Sequence, residues 1–233
     1  MLVGAVVWGY RMRPTDKPCS SIQFIIQDKA ERQYVTEKEL LQVLEEEGLN
    51  PVGRPMDIGV LHRMEQLIVH HPMVRTAECY ITPRNEVRVR LTQRVPILRV
   101  QMPGDTYFID SDRKVMPVRA AVKDSVLLVT GMVGVQLASG VLADFAEWLE
   151  DEPYWQERIH HVYVHTPQMM YLYLKKGERF TVSGERIVLG TMRGYERKLN
   201  KLRTFFENSE EIIRDKNYYE YDIRFRGQVI GRY

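Results

Sequence analysis

Six histidines and two cysteines are the side chains of this chain best suited to bind a metal or act as nucleophiles. Most of the histidines fall in two groups, His70-His71 and His160-His161-x-x-x-His165, with His62 apart. Side chains alternate across a strand, so His160 and His161 offer one ligand to each face, while His161 and His165 share a face. A zinc centre made of His161, His165 and His70 or His71 would support a metal-dependent hydrolase. Such a centre needs close tetrahedral geometry and outer partners that fix each imidazole, and the doublets lack the spacing of a zinc motif. The histidines therefore read as surface or interface residues, and no metal is expected.

The other candidates for chemistry also reduce to structure. Cys79 lies in a strand pattern and reads as a small core residue, since a catalytic thiol needs an electropositive, partly exposed setting. Cys19 and Cys79 can pair only if their backbones come within reach, which spacing alone leaves open. Asp110 and Asp112 resemble a carboxylate pair, but Asp110-Ser111-Asp112-Arg113-Lys114 is a polar turn in which Asp bonds its own backbone. GxGxxG, P-loop, GxSxG and HExxH patterns are absent. With no general acid–base pair and no activated nucleophile, neither an enzyme nor a cofactor is expected.

The C-terminal segment carries a different chemistry. Tyr219, Tyr221, Ile223 and Phe225 alternate with Glu220, Asp222 and Arg224. Arg226-Gly227 is a two-residue turn candidate, and Gln228–Tyr233 would return as a second strand. A strand at a chain end is often an edge strand, whose unpaired N–H and C=O groups can accept a strand from another chain. Tyr, Phe and Arg are common interface anchors. The candidate partner-binding residues are therefore Tyr221, Ile223, Arg224, Phe225, Arg226, Val229, Ile230 and Tyr233.

These residues need a scaffold, and the sequence outlines one. Ser21–Gln27 is a strand run. Thr36-Glu37-Lys38-Glu39 is a capping box that opens a helix with Leu40, Leu41, Val43 and Leu44, ended by Gly48. Asp57 caps a second helix carrying Leu61, Met64, Leu67 and Ile68, which His71-Pro72 stops. Val74–Ile81 and Glu86–Leu91 are strands around the turn Thr82-Pro83-Arg84-Asn85, the second with strict alternation. Strand, helix, helix, strand, strand over about 75 residues fits a small α+β domain with helices on one face of a sheet.

Arg94-Val95-Pro96 reads as a joint, beyond which the chain becomes β-rich. Strands are expected at Thr106–Ile109, Val115–Pro117, Val126–Val129, Ile159–His165, Met169–Leu174, Arg179–Val182 and Arg186–Leu189. A helix over Val141–Glu150 presents Phe145, Trp148 and Leu149. A second, capped by Thr191, presents Tyr195, Leu199, Leu202, Phe205 and Phe206.

Composition narrows the class. The chain has 233 residues, 44% hydrophobic and 27% charged, which excludes a disordered tail or a multi-span membrane protein. A formal net charge of +2 gives no electrostatic case for binding nucleic acid. One feature breaks the soluble pattern: Met1–Tyr10 is apolar and meets Arg11 and Arg13. It supplies about half of a spanning helix and lacks the flanks of a cleaved signal. The segment reads as the outer end of a single membrane anchor, with Trp8 and Tyr10 at headgroup level and Cys19 in the stretch that follows. The division is then 1–18 anchor end and juxtamembrane segment, 19–94 small α+β domain, and 95–233 β-rich domain.

The ordered set of motifs resembles the FtsQ/DivIB cell-division family. His71-Pro72-Met73-Val74-Arg75-x-Ala77, then Pro83, Val87-Arg88-Val89 and Gln93-Arg94-x-Pro96, are similar to the end of that family's POTRA domain. Met73 stands where an aromatic residue is usual, and Gln93 where Glu is usual. Phe108-Ile109-Asp110 through Val115-Met116-Pro117, Val129-Thr130-Gly131, Leu189-Gly190 and Tyr221-Asp222-Ile223-Arg224-Phe225 resemble successive parts of its β domain.

The resemblance implies an α+β fold, with an N-terminal POTRA-like βααββ domain followed by a β-rich domain with flanking helices. It implies a non-enzymatic, single-pass inner-membrane protein with its bulk on the periplasmic side at the division site. It also implies FtsB/FtsL-like partners, other division proteins at the POTRA domain, and a link between early and late division proteins that helps control septal peptidoglycan synthesis. In the family a partner strand joins the end of the β domain beside an Arg–aromatic pair, which matches Arg224 and Phe225; Phe225 stands where Tyr is common. Two other roles compete: a POTRA-containing protein of outer-membrane assembly or secretion, and the metal-dependent envelope hydrolase. The former usually carries several POTRA units or a large barrel, which 233 residues do not hold.

Overall fold

The computed structural model describes residues 15–30, 33–119, 126–175, 185–209 and 218–233. The segment Met1–Tyr10, expected to end an anchor, and the expected strand Arg179–Val182 lie outside them. Among the described residues no helix is long and apolar enough to cross a membrane. The chain divides into two compact units, one reaching Val95 and including Arg119, the other taking Pro96–Val118 and the C-terminal part.

In the first unit, β1 (Thr15–Pro18), β2 (Ser21–Ile26), α1 (Glu37–Glu46), β3 (Pro55–Met56), α2 (Ile58–His70), β4 (Val74–Ile81) and β5 (Glu86–Gln93) follow in order. β5 lies centrally, parallel to β2 and antiparallel to β4. β1 and β3 form a separate antiparallel pair that periodicity did not announce, because two to four residues cannot show a period. The expected βααββ order is present.

The helix ends follow the sequence signals. Thr36 Oγ1 accepts the Glu39 N–H at 3.2 Å, and Asp57 Oδ1 accepts the Val60 N–H at 2.8 Å. The reciprocal half of the capping box differs: the Glu39 carboxylate turns to His71 Nε2 at 3.2 Å, a partner from beyond α2. Leu40 and Leu44 of α1, and Leu61, Met64 and Ile68 of α2, pack on Val87, Val89 and Leu91 of β5, with Cys19 and Cys79 in the same core. Both cysteines are buried.

Gln93 explains its own departure from the family pattern. It is buried, and its Oε1 accepts the N–H groups of Tyr34 (2.7 Å) and Val35 (3.1 Å), while Nε2 donates to Asp28 (3.2 Å). An amide oxygen thus satisfies two backbone donors as a carboxylate would, and its nitrogen adds a third bond. Met73, in the aromatic position, is fully buried and fills that space with a flexible side chain.

Among the described residues the second unit is one mixed sheet of nine strands. Its elements are β6 (Pro96–Met102), β7 (Asp105–Asp110), β8 (Val115–Pro117), β9 (Leu127–Gly131), α3 (Ala143–Glu150), α4 (Pro153–Gln156), β10 (Ile159–Thr166), β11 (Met169–Leu174), β12 (Arg186–Gly190), α5 (Tyr195–Asn208), β13 (Glu220–Asp222) and β14 (Ile230–Arg232). The spatial order is β14-β13-β12-β11-β10-β9-β6-β7-β8. α3 and α4 lie in the crossover between parallel β9 and β10, and α5 in that between parallel β12 and β13. Phe145, Leu149, Trp155, Leu199, Leu202 and Phe206 from the helices share a core with the inward residues of the strands.

One local expectation is corrected. Thr191 does not cap α5; the helix begins at Tyr195 behind Gly194. The Thr191 carbonyl instead accepts from Lys198 Nζ at 2.7 Å, so this stretch is a tight connection tied to the helix it precedes. The helix expected at Val141–Glu150 is present and is entered through a kink at Gly140, whose backbone is not helical, with Ala138 and Leu142 on either side of it buried in the core.

Candidate partner-binding edge

The last two strands are rooted in an aromatic cluster. Tyr221 is fully buried, with Phe206 edge-on at 5.0 Å, Phe205 at 6.3 Å and Tyr218 at 5.7 Å. Burying a side chain of this size stabilises by roughly 2 kcal/mol. Burial, and then the nearby Glu185 carboxylate, push the Tyr221 hydroxyl above the usual tyrosine range.

The alternating hairpin expected from Tyr219 to Phe225 is not what forms. Glu220, Tyr221, Asp222 and Ile223 are all buried in succession. β13 and β14 pair only through Glu220↔Arg232, Tyr221↔Gly231 and Asp222↔Ile230, so residues 223–229 replace the expected two-residue turn at Arg226-Gly227. The cause is on the other side of β13: the Ile223 N–H donates to the Val188 carbonyl of β12 at 3.1 Å, and its side chain enters the core. The chain follows β12 for one more residue before it can leave the sheet.

The outward residues, which alternation would leave as solvated charges, form ion pairs instead. Glu220 is buried and accepts from Arg186 Nε of β12 and Arg232 Nη1 of β14, each at 2.5 Å. One carboxylate thereby ties three neighbouring strands together. Asp222 is buried as well. Its Oδ2 accepts from Arg224 Nη2 at 2.6 Å and its Oδ1 accepts from Arg224 Nε at 2.9 Å, a two-pronged bond. Burial alone would raise the Asp222 carboxyl, but the Arg224 bonds hold it below the ordinary value.

Two glycines make this packing possible. Gly190 has φ +73°, and a Cβ there would lie 3.0 Å from the Arg224 Cγ, so the arginine stem runs across the glycine backbone. A Cβ on Gly231 would lie 2.4 Å from the Tyr218 ring, so the space beside Gly231 in β14 is filled by a residue that precedes β13.

The eight sequence-derived residues therefore divide. Tyr221 and Ile223 lie in the core and offer no side chain to a partner; they seat the edge. Val229 is half-buried against the same core. Arg224, Phe225, Arg226, Ile230 and Tyr233 are exposed. Phe225 is 47% exposed with the Arg224 guanidinium 5.5 Å from its ring centre, Ile230 is 41% exposed, and Tyr233 is 73% exposed with its ring edge-on to Tyr218 at 5.6 Å. Among the described residues β14 is the outermost strand of the sheet. Sequence reading missed Arg186, Glu220 and Asp222 as a network; the only local signal is Asp222 two residues before Arg224.

The other candidates stay structural. His161 bonds Thr130 Oγ1 at 2.7 Å and stacks on Tyr173 at 5.0 Å; burial, then His160, lower its pKa. Among the described residues no three His, Cys, Asp or Glu side chains converge as metal ligands. Asp110 Oδ1 accepts the Lys114 N–H at 2.6 Å, the turn role read from the sequence.

Comparison with known families agrees with this architecture. A POTRA-like domain model matches residues 17–92, and an FtsQ/DivIB C-terminal related model matches residues 95–232. No curated protein gives a significant match. With the second model alone spanning more than half of its length, and the POTRA-like unit ahead of it, the chain belongs to the FtsQ/DivIB family of cell-division proteins.

Proposed function

We propose that this chain is a non-enzymatic scaffold of the bacterial divisome, held in the inner membrane by its N-terminal segment with the two units on the periplasmic side. In this reading it accepts a strand from an FtsB/FtsL-type partner along β14 and links early to late division proteins, so contributing to control of septal peptidoglycan synthesis. The observation that carries it is the outermost β14, flanked by exposed Phe225, Ile230 and Tyr233 beside a buried charge network. An edge strand supplies main-chain affinity, and the aromatic and arginine side chains around it supply selectivity. The POTRA-like unit is the proposed contact for other division proteins. The apolar Met1–Tyr10, followed by Arg11 and Arg13, supports the anchor.

Titration calorimetry of the 233-residue chain with the periplasmic segment of the FtsB-type protein of the same cell tests the assignment. Phe225→Asp should weaken binding about 30-fold, corresponding to about 2 kcal/mol for loss of an aromatic anchor. Its thermal midpoint should stay close to that of the unmodified chain, because Phe225 is half exposed. Binding unchanged by Phe225→Asp overturns the site.

A further inference from the structure

A loop that leaves an edge strand ordinarily samples many conformations, and a partner must order it at a cost to affinity. Residues 223–225 are held in advance. Lys201 Nζ, on α5, donates to the Ile223 carbonyl at 3.1 Å and to the Phe225 carbonyl at 2.5 Å. These are the carbonyls of the residues on either side of Arg224. One ammonium, with three donors, thus holds the Ile223–Arg224 and Phe225–Arg226 peptide planes, which enclose the residue whose side chain is clasped by Asp222 and laid across Gly190.

The lysine is itself well placed to act as a rigid post. Its neighbours Leu199 and Leu202 are fully buried, so α5 cannot rotate about this point without opening the core. One turn earlier on the same helix, Lys198 Nζ donates to the carbonyls of Leu189 (3.0 Å) and Thr191 (2.7 Å), on either side of Gly190. The two lysines therefore staple the exits of β12 and β13, and each staple brackets one half of the Gly190–Arg224 contact.

We propose that Lys201 is a positioning residue for the docking edge: it presets the Arg224–Phe225 segment for a partner and takes no part in the interface through its own side chain. The proposal rests on the strand-addition reading above. Lys201→Met keeps the apolar stem and removes the donors; Lys201→Arg keeps donors at the same place.

The test uses the full chain and the same FtsB-type periplasmic segment, with amide hydrogen exchange and a thermal midpoint for each variant. Lys201→Met should bind about tenfold more weakly, exchange faster over residues 223–229, and melt within a few degrees of the unmodified chain; Lys201→Arg should restore most of the affinity. Should Lys201→Met fold poorly, Lys201→Gln, which retains one donor group, should lie between the two. Full affinity in a folded Lys201→Met or Lys201→Gln chain overturns the proposal, as does weakened binding without faster exchange over 223–229. Phe225→Asp separates the two ideas: if it too binds normally, the docking edge itself is wrong, whereas if it fails to bind while Lys201→Met binds normally, only the role of Lys201 is.

Discussion

The nine-stranded sheet has two outer strands of equal length, β8 and β14, and the chain treats them in opposite ways. β8 ends in Pro117, which has no N–H to offer a neighbouring strand. The turn leading into it is locked by Arg113, whose Nη2 bonds Asp144 at 2.8 Å and Glu147 at 2.7 Å on α3. β14 has no proline, and its Gly231 leaves the inward position to a tyrosine from the preceding segment. Exposed apolar side chains stand at both edges, Val115 and Val118 at β8 and Ile230 at β14, but exposed aromatic rings, Phe225 and Tyr233, stand only beside β14. Natural sheets blunt edges that must not pair. The contrast argues that β14 was left open while β8 was closed.

The largest way to break the contrast is to cut β14 loose. Glu220→Gln keeps the shape but removes the charge that joins Arg186 and Arg232. Both arginines are partly exposed, so solvent screens some of the loss, and a destabilisation of about 2 kcal/mol is expected. Chemical denaturation should show it as a lower midpoint with unchanged slope. Amide exchange should accelerate in β13 and β14 and stay unaltered in β8. Equal acceleration at both edges would mean that Glu220 supports the whole sheet and not this edge.

A smaller change should sharpen the contrast from the other side. Pro117→Thr gives β8 a donor and a residue suited to strands. Stability should move by no more than about 0.5 kcal/mol, the usual range for exposed positions. Sedimentation should reveal concentration-dependent self-association absent from the unmodified chain. A variant that stays monomeric at high concentration would assign the protection of β8 to the Arg113 clamp and not to the proline.

The first unit was legible because its signals are local. A cap, a periodic stripe and a stop bound each helix, and Glu86–Gln93 alternates strictly because one face of β5 meets two helices. The proposed docking edge was legible only in outline. Its place at the chain end and its Tyr-Asp-Ile-Arg-Phe run pointed to this segment. The burial of Glu220 and Asp222 did not follow from alternation, since β13 is held on one side by β12 and on the other by β14. The partners of Glu220 come from 34 residues before and 12 after it, a separation that no periodicity encodes. The same holds for Lys201, which reaches 22 and 24 residues along the chain to carbonyls that any residue type could supply.

The least disruptive probe of the edge is the proton. Asp222 has its carboxyl held below the ordinary aspartate value by Arg224, so folding favours its ionised form. The stabilisation is complete above the ordinary aspartate range and disappears as pH falls through the lower folded value. Asp222→Asn lacks this contribution at every pH. The stability difference between the two chains should therefore be constant at neutral pH and shrink only under acid conditions, as measured by denaturation at a series of pH values. Since Asp222 also accepts the Arg224 backbone N–H at 3.2 Å, the same acid step should free the Arg224 amide to exchange. A difference that widens in acid would reverse the sign and place the Asp222 carboxyl above its unfolded value, with burial outweighing the arginine.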